Sequence, residues 1–235
     1  MMTNIIICAI DTKDIKQAKK LALSVKDSVA MVKCGLEFFT ANGAAGIKEI
    51  ASTGIEIFLD LKFHDIPNTV AEAVKSAVSL DVSIITIHTL GGKAMMQAAS
   101  YAAKEEAARL GKQKPLIVGV TVLTSMDDNE LNGIGIDKAS LEQVKILAKL
   151  AKESGLDGIV CSPHEIKSVK SICGKDFVTV VPGIRPDSST NDDQKRVMTP
   201  KQAVNEGADY IVIGRPITRS KNPAKTARDI FNIIK

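Results

Sequence analysis

The chain has 235 residues, a formal net charge of +4, six Phe, two Tyr and no Trp. So small a charge over that length, with few rings for bases to stack on, argues against nucleic-acid binding. No stretch approaches the ~20 consecutive apolar residues of a membrane span, and the apolar run that ends at Asp11 follows neither a basic leader nor a cleavage site. The expectation is a cytoplasmic protein with no membrane or nucleic-acid partner. Cys8, Cys34, Cys161 and Cys173 lack C-x-x-C spacing and are expected as reduced core thiols.

In chain order, β-branched apolar runs at residues 4–11, 28–34, 55–62, 82–88, 115–123, 157–162, 177–182 and 209–214 predict eight strands. Between them, stretches such as 15–25, 70–78, 93–109 and 141–153 carry helical spacing. Strands this apolar, alternating with helices, argue for a parallel sheet covered by helices. Eight such units fit a (β/α)8 barrel, for which ~250 residues is typical, and with no linker or composition break one domain over residues 1–235 is expected. A doubly wound open sheet is the alternative. Against it, the first strand runs into Asp11-Thr12-Lys13-Asp14 rather than a G-x-G-x-x-G phosphate loop.

The third run is the most informative. Ile55-Glu56-Ile57-Phe58-Leu59 leads into Asp60-Leu61-Lys62-Phe63-His64-Asp65 and then into Ile66-Pro67-Asn68-Thr69, a helix-opening signal. Side chains alternate along a strand, so Asp60 and Lys62 are expected on one face, with Asp65 past the strand end. There it could cap the helix, close the charge pair or reach a neighbouring chain.

Barrel enzymes keep their sites at the carboxyl ends of the strands. Those ends carry Asp11, Lys33, Asp60 with Lys62, His88-Thr89, residues 121–125, Pro182-Gly183-Ile184-Arg185 and Gly214-Arg215. Charges converging on one mouth are costly unless paired or used. Gly214 before a helix start lets backbone N–H groups approach an anion, and Arg215 can fork onto its oxygens. The long loop from 184 to about 199 carries Arg185, Gln194, Lys195 and Arg196 and reads as a phosphate gripper. His64 and His88 are expected in structural hydrogen bonds.

Taken together these segments resemble the orotidine 5'-phosphate decarboxylase family. The resemblance spans the chain and rests on Asp11, Lys33, the run from Asp60 to Thr69, Leu123-Thr124-Ser125, residues 181–186, residues 193–196 and Gly214-Arg215-Pro216-Ile217. One departure is Asp192, where similar members often have Gly. The resemblance implies a barrel that decarboxylates orotidine 5'-phosphate to uridine 5'-phosphate without metal or organic cofactor. It implies a charged tetrad of Lys33, Asp60, Lys62 and Asp65, with Asp65 and Thr69 reaching the other subunit's site in a homodimer. Asp11 and Lys33 would hold the ribose hydroxyls and Ser125 the pyrimidine edge. Gln194, Gly214 and Arg215 would hold the phosphate, with Pro182 also against the substrate.

Three rivals share parts of this pattern. A sugar-phosphate decarboxylase or hexulose phosphate synthase similar in D-x-K-x-x-D would use Mg2+, but an acidic ligand is expected where Lys33 stands. A Schiff-base aldolase through Lys62 conflicts with the flanking carboxylates, which favour the poorly nucleophilic ammonium. A barrel that merely binds a phosphorylated metabolite has no need of charges away from the phosphate.

Overall fold

The computed structural model describes residues 4–186 and 197–235. Among these, eight parallel strands pair in sequence order and the last returns to the first, closing a barrel. The strands are β1 (Ile6–Ile10), β2 (Met31–Gly35), β3 (Glu56–Phe63), β4 (Ile84–His88), β5 (Leu116–Val120), β6 (Gly158–Val160), β7 (Val178–Val181) and β8 (Tyr210–Ile213). The helices packed around them include α1 (Ile15–Val25), α2 (Leu36–Ala51), α3 (Pro67–Val78), α4 (Gly92–Leu110), α5 (Asp128–Gly133), α6 (Ser140–Glu153), α7 (Ile166–Cys173), α8 (Pro200–Glu206), α9 (Arg215–Thr218) and α10 (Pro223–Ile234). Closure through Ile6, Ile7 and Cys8 against residues 211–213 rules out the open sheet.

Strand alternation divides the core in two. Ile6, Cys8 and Ile10 face the helices, whereas Ile7 and Ala9 join Met31, Phe58, Ile84, Val118, Val180 and Val212 inside the barrel. Continuing each inward row towards the carboxyl ends brings Asp11 after Ala9, Lys33 after Met31, Asp60 after Phe58 and Gly214 after Val212. An apolar plug is thus topped by a polar rim, in keeping with the layered filling of such barrels. All four cysteines are buried and free. Burial, reinforced by Asp11, pushes the Cys8 thiol up to about 12, and burial pushes Cys34 as far, leaving both as inert core groups.

Strand β3 departs from regular pairing. Leu59 faces Ile85 and Phe63 faces Ile87, so four steps on β3 span two on β4. Within this bulge Lys62 has φ 52°, left-handed backbone that a non-glycine residue seldom adopts. The sequence expectation of an extended strand through residue 62 is corrected here. Asp60 and Lys62 do converge, but through a bulge rather than a simple pleat. Asp65 is not the capping residue of α3 either; that position is Ile66, whose N–H donates 2.7 Å to Asp65 Oδ1.

Candidate active site

A cavity of about 340 Å³ opens at the carboxyl ends of the strands, within the size range of small-molecule sites. Ala9, Phe58, Val120, Val160, Val180 and Val212 form its apolar floor, and Asp11, Lys33, Asp60, Lys62, Arg185 and Arg215 are among its polar lining. Of the expected substrate-binding residues, Ser125, Pro182 and Gly214 also line it.

The charges alternate in space. Lys33 Nζ lies 3.7 Å from Asp11 Oδ1 and 3.3 Å from Asp60 Oδ2, and Lys62 Nζ donates to Asp60 Oδ1 at 2.8 Å. Asp60 is buried, with a side chain 10% exposed, while Lys33 and Lys62 are 15% and 28% exposed. Burial acts to raise the Asp60 carboxyl, but the Lys33 and Lys62 ammoniums, with hydrogen bonds from Lys62 and Thr86, outweigh it and hold the group below the ordinary carboxylate range. Burial likewise acts against the Lys33 ammonium, and Asp60 and Asp11 overcome it, raising Lys33 above the usual lysine range. Lys33 is therefore a fixed cation and Asp60 a fixed anion. A divalent ion seeking Asp60 Oδ2 would meet the Lys33 ammonium first, which disfavours the Mg2+ arrangement.

The expected residues do not all meet. Asp65 and Thr69 are exposed on the approach to and first turn of α3 and do not line this cavity. Gln194, with Asp192, Lys195 and Arg196, lies outside the described residues. The feet of that loop are joined: Met198 N–H donates to the Gly183 carbonyl at 3.2 Å and Arg185 N–H to the Met198 carbonyl at 3.0 Å. Thr199 then caps α8 by accepting from Gln202 N–H. On the opposite rim, a Cβ at Gly214 would stand 3.5 Å from the Ala9 Cβ and 3.7 Å from Asp11 Oδ2. Arg215 opens α9 directly after it, so the cradle expected for an anion is built from the end of β8.

Sequence reasoning missed two residues. Thr86, fully buried on β4, accepts the Lys62 N–H at 2.9 Å and donates its hydroxyl to Asp60 Oδ1 at 3.0 Å. Its signal was available: a lone hydroxyl in Ile84-Ile85-Thr86-Ile87, on the inward row of its strand. The other is Gly35, where an added Cβ would come 3.1 Å from Lys33 Nζ, so the absence of a side chain keeps room for the ammonium.

The histidines differ from expectation. Among the described residues Nδ1 of His88 is buried without a hydrogen-bond partner, and its ring lies 5.3 Å from that of His64 at a 35° tilt. Burial first, then His64 and Lys62, push the His88 pKa down, so the neutral ring is favoured. Desolvation beside two other basic groups, rather than a structural hydrogen bond at Nδ1, governs this pair.

Comparison with known proteins agrees with the geometry. A family model described as Orotidine 5'-phosphate decarboxylase / HUMPS family matches residues 4–230. The chain is 52% identical over 232 residues to the orotidine 5'-phosphate decarboxylase of Ehrlichia chaffeensis, covering 98% of this chain and 97% of that protein. It is 50% identical over 229 residues to the enzyme of the same name from Rhodospirillum rubrum, covering 97% and 93%. Among solved structures, orotidine 5'-phosphate decarboxylase from Lactobacillus acidophilus superposes with a TM-score of 0.88 at 37% identity, covering 99% of this chain and 100% of that one.

Proposed function

The chain belongs to the orotidine 5'-phosphate decarboxylase / HUMPS family and is a decarboxylase, a carbon–carbon lyase; on that premise we propose that it converts orotidine 5'-phosphate to uridine 5'-phosphate and CO2 with its own side chains alone. The observation that carries the reading is the ammonium–carboxylate–ammonium run of Lys33, Asp60 and Lys62, joined at 3.3 and 2.8 Å above an apolar floor.

Loss of CO2 from C6 of the pyrimidine leaves an electron pair in the ring plane, outside the π system. The site must therefore stabilise a localised negative charge. Lys62, held against Asp60, is a preoriented ammonium for that carbon, and the proton it delivers to C6 completes the product. The bond from C6 to the carboxyl carbon breaks with its electrons left on C6, and that pair then takes the Lys62 proton.

Repulsion between Asp60 and the substrate carboxylate is a minor contributor. Two like charges ~4 Å apart at an effective dielectric of ~20 interact by only about 4 kcal/mol, whereas a very slow reaction demands barrier reductions on the order of 20 kcal/mol. Most of the reduction must come from charge stabilisation at C6 and from remote binding energy of the phosphate.

In this reading Asp11 and Lys33 hold the ribose hydroxyls, Ser125 the pyrimidine edge, Pro182 packs against the substrate, and Gln194, Gly214 and Arg215 hold the phosphate. Asp65 and Thr69 complete the site of a second copy in a homodimer, which accords with their exposure away from this cavity. The exposed Ile66 between them, at 66%, is the kind of apolar group such an interface covers.

The test is direct. Purified protein mixed with orotidine 5'-phosphate should deplete its ultraviolet absorbance and yield uridine 5'-phosphate, at an unchanged rate after dialysis against a chelator. No absorbance change would sink the proposal; activity restored only by Mg2+ would move it to the sugar-phosphate side of the family.

A further inference from the structure

Lys62 occupies a backbone conformation that has to be held. Its φ of 52° sits in a bulge where β3 loses register with β4, and a non-glycine residue there costs on the order of 1–3 kcal/mol unless its surroundings fix it. Regular ladder pairing between β3 and β4 is interrupted between Leu59 and Phe63. The Lys62 N–H instead donates to the Thr86 hydroxyl oxygen at 2.9 Å, and that hydroxyl donates onward to Asp60 Oδ1 at 3.0 Å, the oxygen that also receives Lys62 Nζ at 2.8 Å.

One hydroxyl thus touches both ends of the charged pair: the main chain of the lysine and the carboxylate that orients its ammonium. Thr86 is fully buried, and its neighbours Ile85 and Ile87 pack outward against the helices. Packing alone asks for another aliphatic residue at position 86, as in the rest of that strand. The hydroxyl is what an aliphatic residue would lack, and losing it would leave a desolvated N–H and remove one donor from a buried anion.

Resting on the reading of Lys62 as the group that meets C6, we propose that Thr86 is a positioning residue, whose hydroxyl holds the left-handed backbone of Lys62 and the Asp60 carboxylate in one geometry. It touches no substrate. Its effect is exerted on where the ammonium points and should appear in turnover rather than in binding.

The contrast is between Thr86→Val, which keeps the shape without the hydroxyl, and Thr86→Ser, which keeps the hydroxyl without the methyl. Steady-state kinetics with orotidine 5'-phosphate, calorimetric affinity for uridine 5'-phosphate and a thermal midpoint are measured for both and for the wild type. Thr86→Val is expected to lose about 10- to 100-fold in kcat, the range for removing a supporting hydrogen bond behind a reacting group. Its KM and product affinity should stay within about threefold of the wild type, and Thr86→Ser should recover most of kcat. A Val variant with wild-type kcat, or a Ser variant no better than Val, overturns the proposal. If Val does not fold, Thr86→Ala against Thr86→Ser carries the same contrast.

A wild type inert towards orotidine 5'-phosphate would instead sink the functional reading. The positional claim is then judged from a crystal structure of the Val or Ala variant. Lys62 relaxed out of the left-handed region supports it; an unmoved Lys62 and Asp60 refute it.

Discussion

The two ends of the barrel hold buried carboxylates for different purposes. At the amino-terminal end Asp209 accepts from Thr179 N–H at 2.6 Å, from the Thr179 hydroxyl at 2.9 Å and from Lys170 Nζ at 2.6 Å. Asp157 does the same one unit earlier, taking Ile117 N–H at 2.8 Å and Lys114 Nζ at 2.6 Å. Each ties the main chain of one strand to the approach to another and adds a lysine from outside the barrel. At the carboxyl-terminal end Asp60 takes only side-chain donors, Lys33, Lys62 and Thr86, on a strand whose backbone leaves the regular ladder. Anions bonded to backbone fasten strands; an anion ringed by mobile ammoniums and a strained turn presents charge to a cavity. The lower pattern serves the fold and the upper one serves chemistry.

Substitutions at the two ends should separate these roles. The largest effect is expected for Lys62→Ala, with kcat down by at least ~10³-fold, comparable to removing a preorganised donor from a developing charge. Its affinity for uridine 5'-phosphate should be nearly intact by calorimetry; near-normal turnover would break the comparison at its upper end. Arg215→Ala comes next. It should lower kcat/KM for the nucleotide by about 10- to 100-fold, the equivalent of one charge-assisted hydrogen bond of ~1.5–3 kcal/mol. The dephosphorylated nucleoside should lose far less, and equal losses on both would remove the phosphate from this rim.

At the lower end Asp209→Ala should cost about 1–3 kcal/mol of stability in urea unfolding, since it strands the Thr179 N–H and the Lys170 ammonium. Its kcat should match the wild type; a matching loss of turnover would mean that the two ends are coupled. The smallest effect concerns pH. Asp60 titrates below its ordinary value of 3.8 when folded, so its stabilising contribution is fully present above that value and is lost as pH falls through the folded pKa. The stability gap between wild type and Asp60→Asn should therefore be constant from pH 5 to 7 and narrow below about pH 4. A gap that widens in acid would contradict the sign of the shift.

Much of this was legible in the sequence because a barrel converts alternation into position. Inward rows read from Ala9, Met31, Phe58 and Val212 lead directly to Asp11, Lys33, Asp60 and Gly214, and no knowledge of loops is needed. Strand ends were read one to three residues too long at several places, such as 115–123 against Leu116–Val120, because apolar residues continue past the last ladder bond into the site. The bulge at Lys62 left no trace, since positive φ is advertised by Gly or Asn and not by lysine. Thr86 escaped notice because a threonine in a strand is ordinary until its partner on the next strand is known. Asp65 was the reverse case: its residue type suggested a cap or a charge partner, and the loop geometry turns it away from this cavity.

The surplus length in β3 between Leu59 and Phe63 limits how this machinery can be transplanted or shortened. Copying an acid and a lysine two positions apart onto the exit of a regular strand would reproduce the letters without the crook in the chain that aims the amine. A faithful graft has to bring both extra residues and a hydroxyl on the adjoining strand. Excising just one of them would invert the facing of Phe63, whose renewed pairing with Ile87 closes the detour.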